Sequence, residues 1–132
     1  MRVKEIMRNV QTVSPEATVK EAADLMNKRA MGSLVVITDN KKVVGIVTER
    51  DILEKVTAKD KLPSKVLIEH IMTPKIISIE PGALLDDAVY LMIKHKIKKL
   101  PVVGEKEELL GIITSTDLIN NSEDIGQFYM FE

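Results

Sequence analysis

The chain has 132 residues, of which 45% are hydrophobic, enough for one compact core or two fused smaller ones. A formal net charge of −1 gives no overall field that would attract nucleic acid or an acidic membrane surface. Cysteine is absent, and no stretch is long and apolar enough for a signal peptide or a bilayer span. We therefore expect a cytoplasmic protein without a disulfide framework.

The first elements in the chain are a strand and a helix. A strand is predicted from Val10 to Ser14, where Pro15 ends it. Thr18 and Glu21 then have the spacing of a capping box, which marks the start of a helix. The apolar residues that follow recur at helical intervals and predict one buried face: Val19, Ala22, Ala23, Met26 and Ala30.

Two strands and a second helix complete the first half. The uninterrupted apolar run Leu34–Ile37 predicts a strand covered on both faces. After a turn at Asp39–Asn40, the strand Val43–Val47 returns, and the helix Glu49–Val56 follows at once. The predicted order is β-α-β-β-α.

The second half predicts the same order. It departs at one position, because Leu84 stands where Thr18 caps the earlier helix. A polar, lysine-rich stretch containing Pro63 is predicted to be a linker between the halves. The predicted elements of the second half are Ile76–Ile79, a helix from about Leu84 to Lys96, Leu100–Val103, Leu109–Ile113 and the helix Ser115–Asn120.

One polar motif occurs in both halves. Gly45-Ile-Val-Thr-Glu-Arg-Asp51 returns 66 residues later as Gly111-Ile-Ile-Thr-Ser-Thr-Asp117, and apolar and turn residues match at the same offset while surface charges do not. The chain is therefore predicted to be an α+β protein of two repeats related by an approximate two-fold axis. We divide it into repeat one (1–56), the linker (57–65), repeat two (66–121) and an aromatic tail (122–132).

The motif has two possible roles. Its glycine permits close approach of another backbone, and its threonine ends a strand where a helix begins. Thr48 and Asp51, like Thr114 and Asp117, have capping-box spacing and could serve only to satisfy free helix amides. The same geometry could bind a nucleotide, because a helix N-terminus favours phosphate and a carboxylate accepts hydrogen bonds from ribose hydroxyls.

Together these features resemble a tandem pair of cystathionine-β-synthase (CBS) domains, a Bateman module. The resemblance rests on the two motifs, on Ile6-Met7 and Ile71-Met72 before a short strand, and on Leu100-Pro-Val-Val103, and it covers about Val3 to Asn120. It implies a non-catalytic sensor of the type that stands alone in bacteria and archaea. Such a module binds AMP, ADP or ATP in a cleft between the repeats, where the motif aspartate holds the ribose.

The resemblance also implies two related clefts, each combining the motif of one repeat with the first strand and helix end of the other. Residues just before the central strand then lie near the phosphates. In repeat two these are Lys98 and Lys99, whereas the matching pair in repeat one is uncharged. The position after the Ile-Met pair is Arg8 in repeat one and Thr73 in repeat two.

The two implied clefts therefore differ in charge. The first has three candidate cations for phosphate and is predicted to be the nucleotide site, whereas the second has only Arg50 and is predicted to bind weakly, take a less charged ligand or stay empty. The favoured cleft comprises Arg8, Val10, Met31, Gly32, Lys98, Lys99, Thr114, Thr116 and Asp117. The second comprises Ser33, Thr48, Arg50, Asp51, Thr73, Ile76 and Ile97.

Other interpretations stay open. The clefts could be filled by side chains in a module that serves protein interaction, or S-adenosylmethionine could be the ligand. The run Lys94–Lys99 could be a solvated helix end or a nucleic-acid patch, although no aromatic residues for base stacking lie beside it.

No catalytic or metal chemistry is predicted. Two histidines, His70 and His95, are too few for a metal site without cysteine. The sequence holds no Ser-His-Asp or Cys-His arrangement and neither a Walker nor a dinucleotide fingerprint. We expect no enzyme activity, no required cofactor, and an adenine nucleotide as the regulatory ligand.

Two expectations concern assembly. The helices after the motifs carry more apolar surface than a short helix buries alone, so we expect a homodimer. The apolar residues are Ile52, Leu53, Val56, Leu118 and Ile119. We also expect the module to act on an unidentified partner protein. The tail holds three of the four aromatic residues, Phe128, Tyr129 and Phe131. We expect it to dock in an apolar groove and contribute to stability or assembly, the alternative being that it recruits the partner.

Overall fold

The computed structural model describes residues 1–74 and 76–121. The chain divides into two compact units, which we call the repeat-one unit (Val10–Ile76) and the repeat-two unit (Met1–Asn9 with the chain from Ile77 onward). Helices and strands occur in both, which confirms the predicted α+β class. The aromatic tail lies outside the described residues. Within those residues, no helix has the length and apolar character needed to cross a membrane.

Among the described residues, the repeat-one unit contains a three-stranded sheet, two α-helices and shorter helical turns. Its elements are β1 (Thr12–Val13), α1 (Val19–Arg29), β2 (Ser33–Ile37), β3 (Val43–Thr48) and α2 (Glu49–Ile52). Strand β1 pairs parallel with β2, and β2 pairs antiparallel with β3. The predicted strand 10–14 was too long, because β2 pairs with it only through Val35 and Val36. Helix α2 continues directly into a π-helical turn at Leu53–Thr57. The helical segment therefore ends at Thr57, one residue after the predicted end at Val56.

The capping box predicted for α1 is confirmed. The Thr18 hydroxyl accepts a hydrogen bond from the Glu21 amide at 3.1 Å, and the Glu21 carboxylate accepts one from the Thr18 amide at 3.4 Å. These bonds satisfy amides that a helix start otherwise leaves without partners. The buried face of the helix then packs Val19, Ala22 and Met26 into the core of the repeat-one unit.

The repeat-two unit contains α3 (Leu85–His95), β4 (Lys99–Val103), β5 (Leu109–Thr114) and α4 (Ser115–Asn120), with β4 and β5 antiparallel. The predicted strand Ile76–Ile79 is wrong as a strand, since Ile79 makes only an isolated parallel bridge to Val102. Pro101 explains the difference. It has no amide hydrogen to donate towards Ile77, whereas in repeat one the Val35 amide donates to the Gln11 carbonyl at 3.3 Å.

The first nine residues pack in the repeat-two unit although they precede repeat one in the chain. The Val3 amide donates to the Ala83 carbonyl at 2.8 Å, and the Val3 side chain is fully buried in the core of that unit. In the repeat-one unit, the segment after the predicted linker has the corresponding place, because the Val19 amide donates to the Val66 carbonyl at 2.8 Å. Each unit therefore combines the centre of one repeat with the segment that precedes the other.

Candidate functional site

Both copies of the motif lie at a junction between a strand and a helix, β3 to α2 and β5 to α4. In repeat two, the Thr114 hydroxyl accepts from the Asp117 amide at 3.2 Å. Asp117 Oδ2 accepts from the Thr114 amide and from its hydroxyl, each at 2.9 Å. Thr48 and Asp51 make the same three bonds at 3.1, 2.9 and 3.1 Å. Each motif thus caps its helix and buries a carboxylate whose second oxygen takes no part in the cap.

Another backbone segment passes close to each motif glycine, as the sequence predicted. A Cβ atom on Gly111 would lie 2.8 Å from the Arg8 carbonyl oxygen, and one on Gly45 would lie 2.8 Å from the Thr73 carbonyl oxygen. The approaching segment is the one that follows each Ile-Met pair. It forms an antiparallel bridge with the strand, joining Arg8 to Ile112 and Thr73 to Ile46. The absence of a side chain on each glycine therefore permits this close approach to β5 and β3.

In the repeat-two unit, the second oxygen of Asp117 is paired with an arginine. Arg8 Nε lies 2.9 Å from Asp117 Oδ1, and the exposed fraction of the side chain is 61% for Arg8 but 11% for Asp117. The Arg8 backbone is held at the same time by its bridge to Ile112, with hydrogen bonds of 2.9 and 2.8 Å. Arg8 and Asp117, which the family resemblance assigns to one site, are therefore in direct contact.

In the repeat-one unit, the second oxygen of Asp51 is paired with a lysine of the same helical segment. Lys55 Nζ lies 3.1 Å from Asp51 Oδ1 and also donates to the Ile71 carbonyl at 2.8 Å. Lys55 was not among the predicted site residues, although its spacing of four residues from Asp51 on a helix indicates such a contact. The matching residue of repeat two is Asn121, whose side-chain amide donates to the Asp117 backbone carbonyl at 2.8 Å and leaves the carboxylate to Arg8.

The residues at the beginning of the central strands β2 and β4 contact the helix starts through their main chain. The Lys98 carbonyl accepts from the Ser115 amide at 2.8 Å, and Lys99 stands opposite Thr114 in the β4–β5 pair. Both lysine side chains are exposed. The Ser115 and Asp117 amides at the start of α4 therefore already have acceptors within the protein. In repeat one, the corresponding Ser33 is buried opposite Thr48.

The only cation assigned to the second site is engaged by its own helix. Arg50 Nε lies 2.6 Å from Glu54 Oε1. The hydrogen bond to Glu54, together with the carboxylate charge, raises the pKa of Arg50 above its ordinary value. Arg50 therefore stays charged, but its charge is partly neutralised by Glu54, which would weaken its interaction with a phosphate.

Each predicted set draws on residues of both units. Of the favoured set, the repeat-two unit contains Arg8, Lys98, Lys99, Thr114, Thr116 and Asp117, while Val10, Met31 and Gly32 belong to the repeat-one unit. Of the second set, the repeat-one unit contains Ser33, Thr48, Arg50, Asp51, Thr73 and Ile76, while Ile97 belongs to the repeat-two unit.

Two cavities in the described part of the chain suit phosphate poorly. One, of about 390 Å³, has Glu49 as its charged residue, and the other, of about 530 Å³, has Glu80 and Glu105. Acidic side chains without a cation repel phosphate. The first is lined by Ala23, Met26, Asn27, Ala30, Met31, Glu49 and Ile52, and the second by Ser78, Ile79, Glu80, Pro81, Gly82, Val103, Gly104 and Glu105. Neither includes a motif aspartate.

A family model described as the CBS domain matches residues 3–58 and again residues 68–124. The chain belongs to the CBS-domain family and carries two copies of the domain, which confirms the predicted tandem pair.

Several proteins of known sequence resemble this chain, and the chain matches only part of some of them. The uncharacterized protein MK0525 of Methanopyrus kandleri is 36% identical over 85% of this chain and 57% of its own length. The CBS domain-containing protein YhcV of Bacillus subtilis is 35% identical over 90% of this chain and 84% of its own. The inosine-5'-monophosphate dehydrogenase of Korarchaeum cryptofilum is 40% identical over 86% of this chain. That match spans 22% of the dehydrogenase.

Two solved structures of CBS-domain proteins contain adenosine derivatives. CBSX2 in complex with AMP superimposes with a TM-score of 0.80 and 27% identity, over 95% of this chain and 98% of that one. The CBS domain pair of protein MJ0100, in complex with 5'-methylthioadenosine and S-adenosyl-L-methionine, gives a TM-score of 0.79 and 27% identity. That alignment covers 93% of this chain and 96% of the other.

Proposed function

We propose that this CBS pair is a non-catalytic regulatory module that binds an adenine nucleotide (AMP, ADP or ATP), with the ribose on Asp117 and the phosphate near Arg8, Lys98 and Lys99. One observation carries the proposal: a buried carboxylate is positioned by Thr114, and an exposed arginine lies 2.9 Å from its second oxygen. Binding of AMP by the similar protein CBSX2 supports the ligand class.

Charge favours the Asp117 site over the Asp51 site. The repeat-two unit contains three cations of the proposed site, Arg8 (paired with Asp117), Lys98 and Lys99, whereas the repeat-one unit contains Arg50, paired with Glu54, and Lys55, paired with Asp51. Hydrogen bonds to charged groups are worth about 1.5–3 kcal/mol when desolvated, so a site with three cations should bind phosphate more tightly than a site with two. The Asp51 site would then bind more weakly, or take a less charged adenosine derivative.

The proposal also includes regulation. A ligand alters the protein's output only if it binds two arrangements of the module with different affinity, and a partner protein must respond to the difference. The main alternative is S-adenosylmethionine or 5'-methylthioadenosine, because protein MJ0100 binds both through a similar CBS pair.

Titration calorimetry with AMP, ATP, S-adenosylmethionine and a short RNA tests the proposed ligand. We expect AMP or ATP to bind more tightly than S-adenosylmethionine, which has no phosphate for the three cations, and RNA not to bind. Preferential binding of S-adenosylmethionine would favour the alternative ligand. Binding of RNA alone would contradict the proposal, and absence of any binding would favour an interaction module.

We further propose that the protein is a homodimer. Of the five apolar residues that suggested this, Val56 and Leu118 are fully buried in their own units, whereas Leu53 is 61% exposed and Ile119 is 49% exposed. Light scattering at micromolar concentration should give twice the chain mass of 14.8 kDa. Replacing Leu53 and Ile119 together by lysine should give the monomer mass. Leu62→Lys is the matched control, because Leu62 is 61% exposed but lies outside these helices. A monomeric wild type would refute the dimer.

A further inference from the structure

We propose that the aromatic tail (122–132) docks on its own chain, on an exposed stripe of α3 formed by Tyr90 and Ile93. Tyr90 is 60% exposed and Ile93 is 37% exposed, although both side chains are large and mainly apolar. They lie three residues apart in the helix, and therefore on one side of it. This inference is independent of the proposed nucleotide site, to which neither residue belongs.

The internal repeat shows that the fold does not require this stripe. Helices α1 and α3 have 11 residues each. At the offset of 66 residues, the matching positions of α1 hold Asp24 and Asn27. Asp24 forms an ion pair with Lys20 at 2.7 Å, so this side of α1 is polar and well suited to water. The apolar stripe is therefore a particular feature of repeat two, which is the repeat that the tail follows.

The tail begins beside α3. The Ser115 amide, at the start of α4, donates to the Lys98 carbonyl at 2.8 Å, so α4 begins near the C-terminal end of α3. Helix α4 has 6 residues and is about 9 Å long at a rise of about 1.5 Å per residue. Its Leu118 side chain shares a buried cluster with Val89 and Met92 of α3. The tail therefore leaves a short helix that is packed against α3.

The tail is long enough to reach the stripe. The 6 residues between Asn121 and Phe128 allow a separation of roughly 20 Å, since an extended chain spans about 3.3–3.6 Å per residue. The whole of α3, with 11 residues, is about 16 Å long. The aromatic residues of the tail can therefore reach any turn of this helix.

The charges of the two segments are complementary and occur in a matching order. The tail carries Glu123 and Asp124 near its beginning, and its aromatic residues come later. The C-terminal end of α3, where the tail starts, carries Lys94 and Lys96, whereas Tyr90 lies one turn further back. The Lys94 ammonium lies 5.6 Å from the centre of the Tyr90 ring, so a cation borders the stripe. In the docked tail, the acidic residues meet the lysines and the aromatic residues meet the stripe.

The stripe and the tail together hold every aromatic residue of the chain. These residues are Tyr90 on α3 and Phe128, Tyr129 and Phe131 in the tail. Aromatic rings pair favourably in edge-to-face and offset arrangements, beyond the effect of the area that they bury. Docking on the stripe therefore brings the aromatic side chains together and removes their apolar surface from water.

Tyrosine fluorescence tests whether the tail covers the stripe. In a Tyr129→Phe background, Tyr90 is the only tyrosine of the chain. We expect deletion of residues 122–132 in this background to raise the acrylamide quenching constant of Tyr90 about two- to threefold, because the docked tail shields the ring. Replacing Phe128 and Phe131 together by serine should have the same effect at full chain length.

Chymotrypsin, which cleaves after aromatic residues, tests the docking from the side of the tail. We expect Ile93→Asp to accelerate cleavage within the tail about fivefold or more, because a docked segment must open before a protease can cut it. This variant removes an apolar contact and adds a charge of the same sign as the tail. Asn27→Asp is the matched control, since it places the same residue at the matching position of repeat one and should leave the rate unchanged.

The protection should be the same at all protein concentrations, because the tail docks on its own chain. Protection that decreases on dilution would mean that the tail docks on a second copy, and would contradict the proposal. Equal quenching of Tyr90 with and without the tail would overturn it, since the stripe would then be open to water or covered by another surface. Equal cleavage rates in the wild type and Ile93→Asp would overturn it as well.

Discussion

Replacing Gly111 by alanine is expected to destabilise the protein by about 1–3 kcal/mol, the usual cost of inserting a methyl group where no space exists. The new Cβ atom would lie 2.8 Å from the Arg8 carbonyl oxygen, a backbone atom that cannot rotate away as a side chain can. Relief requires movement of the segment that carries both the Arg8–Ile112 bridge and the partner of Asp117. We therefore expect lower stability and weaker nucleotide binding together, measured by urea unfolding and calorimetry.

The chain supplies its own controls for this variant. Gly82→Ala meets no atom within 4 Å and should be neutral or slightly stabilising. Gly45→Ala meets the Thr73 carbonyl oxygen at 2.8 Å and should lose similar stability. It should affect nucleotide binding less, because the segment that it displaces carries no charged partner of an aspartate. Equal stability of Gly111→Ala and Gly82→Ala would refute the close packing of the Arg8 segment on β5.

Asp117→Ala is expected to weaken AMP binding by about 10- to 100-fold, whereas Asp51→Ala should change it little. The loss corresponds to hydrogen bonds with a charged, buried carboxylate, worth about 1.5–3 kcal/mol. The two substitutions are well matched, since each removes the third-position carboxylate of a capping box of nearly identical geometry from a residue that is 8% exposed. Both should cost about 1 kcal/mol of stability, so a difference in affinity reports on the ligand. Equal affinity losses in calorimetry would contradict the asymmetry between the sites.

Much of the fold followed from local sequence patterns. The capping box at Thr18 and the apolar periodicity behind it predicted α1, and the repeated motif predicted two strand-to-helix junctions with the same polar arrangement. These features depend on residues a few positions apart, so their partners are visible in the sequence. Two strand predictions failed: the strand 10–14 was too long, and Ile76–Ile79 is not a strand, because Pro101 on the neighbouring strand removes a ladder hydrogen bond.

Features that depend on distant partners were harder to predict. Nothing in Met1–Asn9 itself indicates that Val3 is buried beside α3 of the repeat-two unit, because that contact joins residues far apart in the chain. For the site, the sequence could assign Arg8 and Asp117 to one cleft only through the family resemblance. It could not reveal that they pair with each other, nor that Lys55 occupies the equivalent oxygen of Asp51.

The central claim is that the nucleotide binds at Asp117, and nitrogen-15 correlation spectra of the wild type titrated with AMP test it most directly. We predict that the largest amide shifts fall on Arg8, Thr114 and Asp117 and saturate first, while Thr48 and Asp51 respond only at higher AMP concentration. Shifts of equal size and equal midpoint at the two aspartates, or shifts confined to residues remote from both, would contradict the claim.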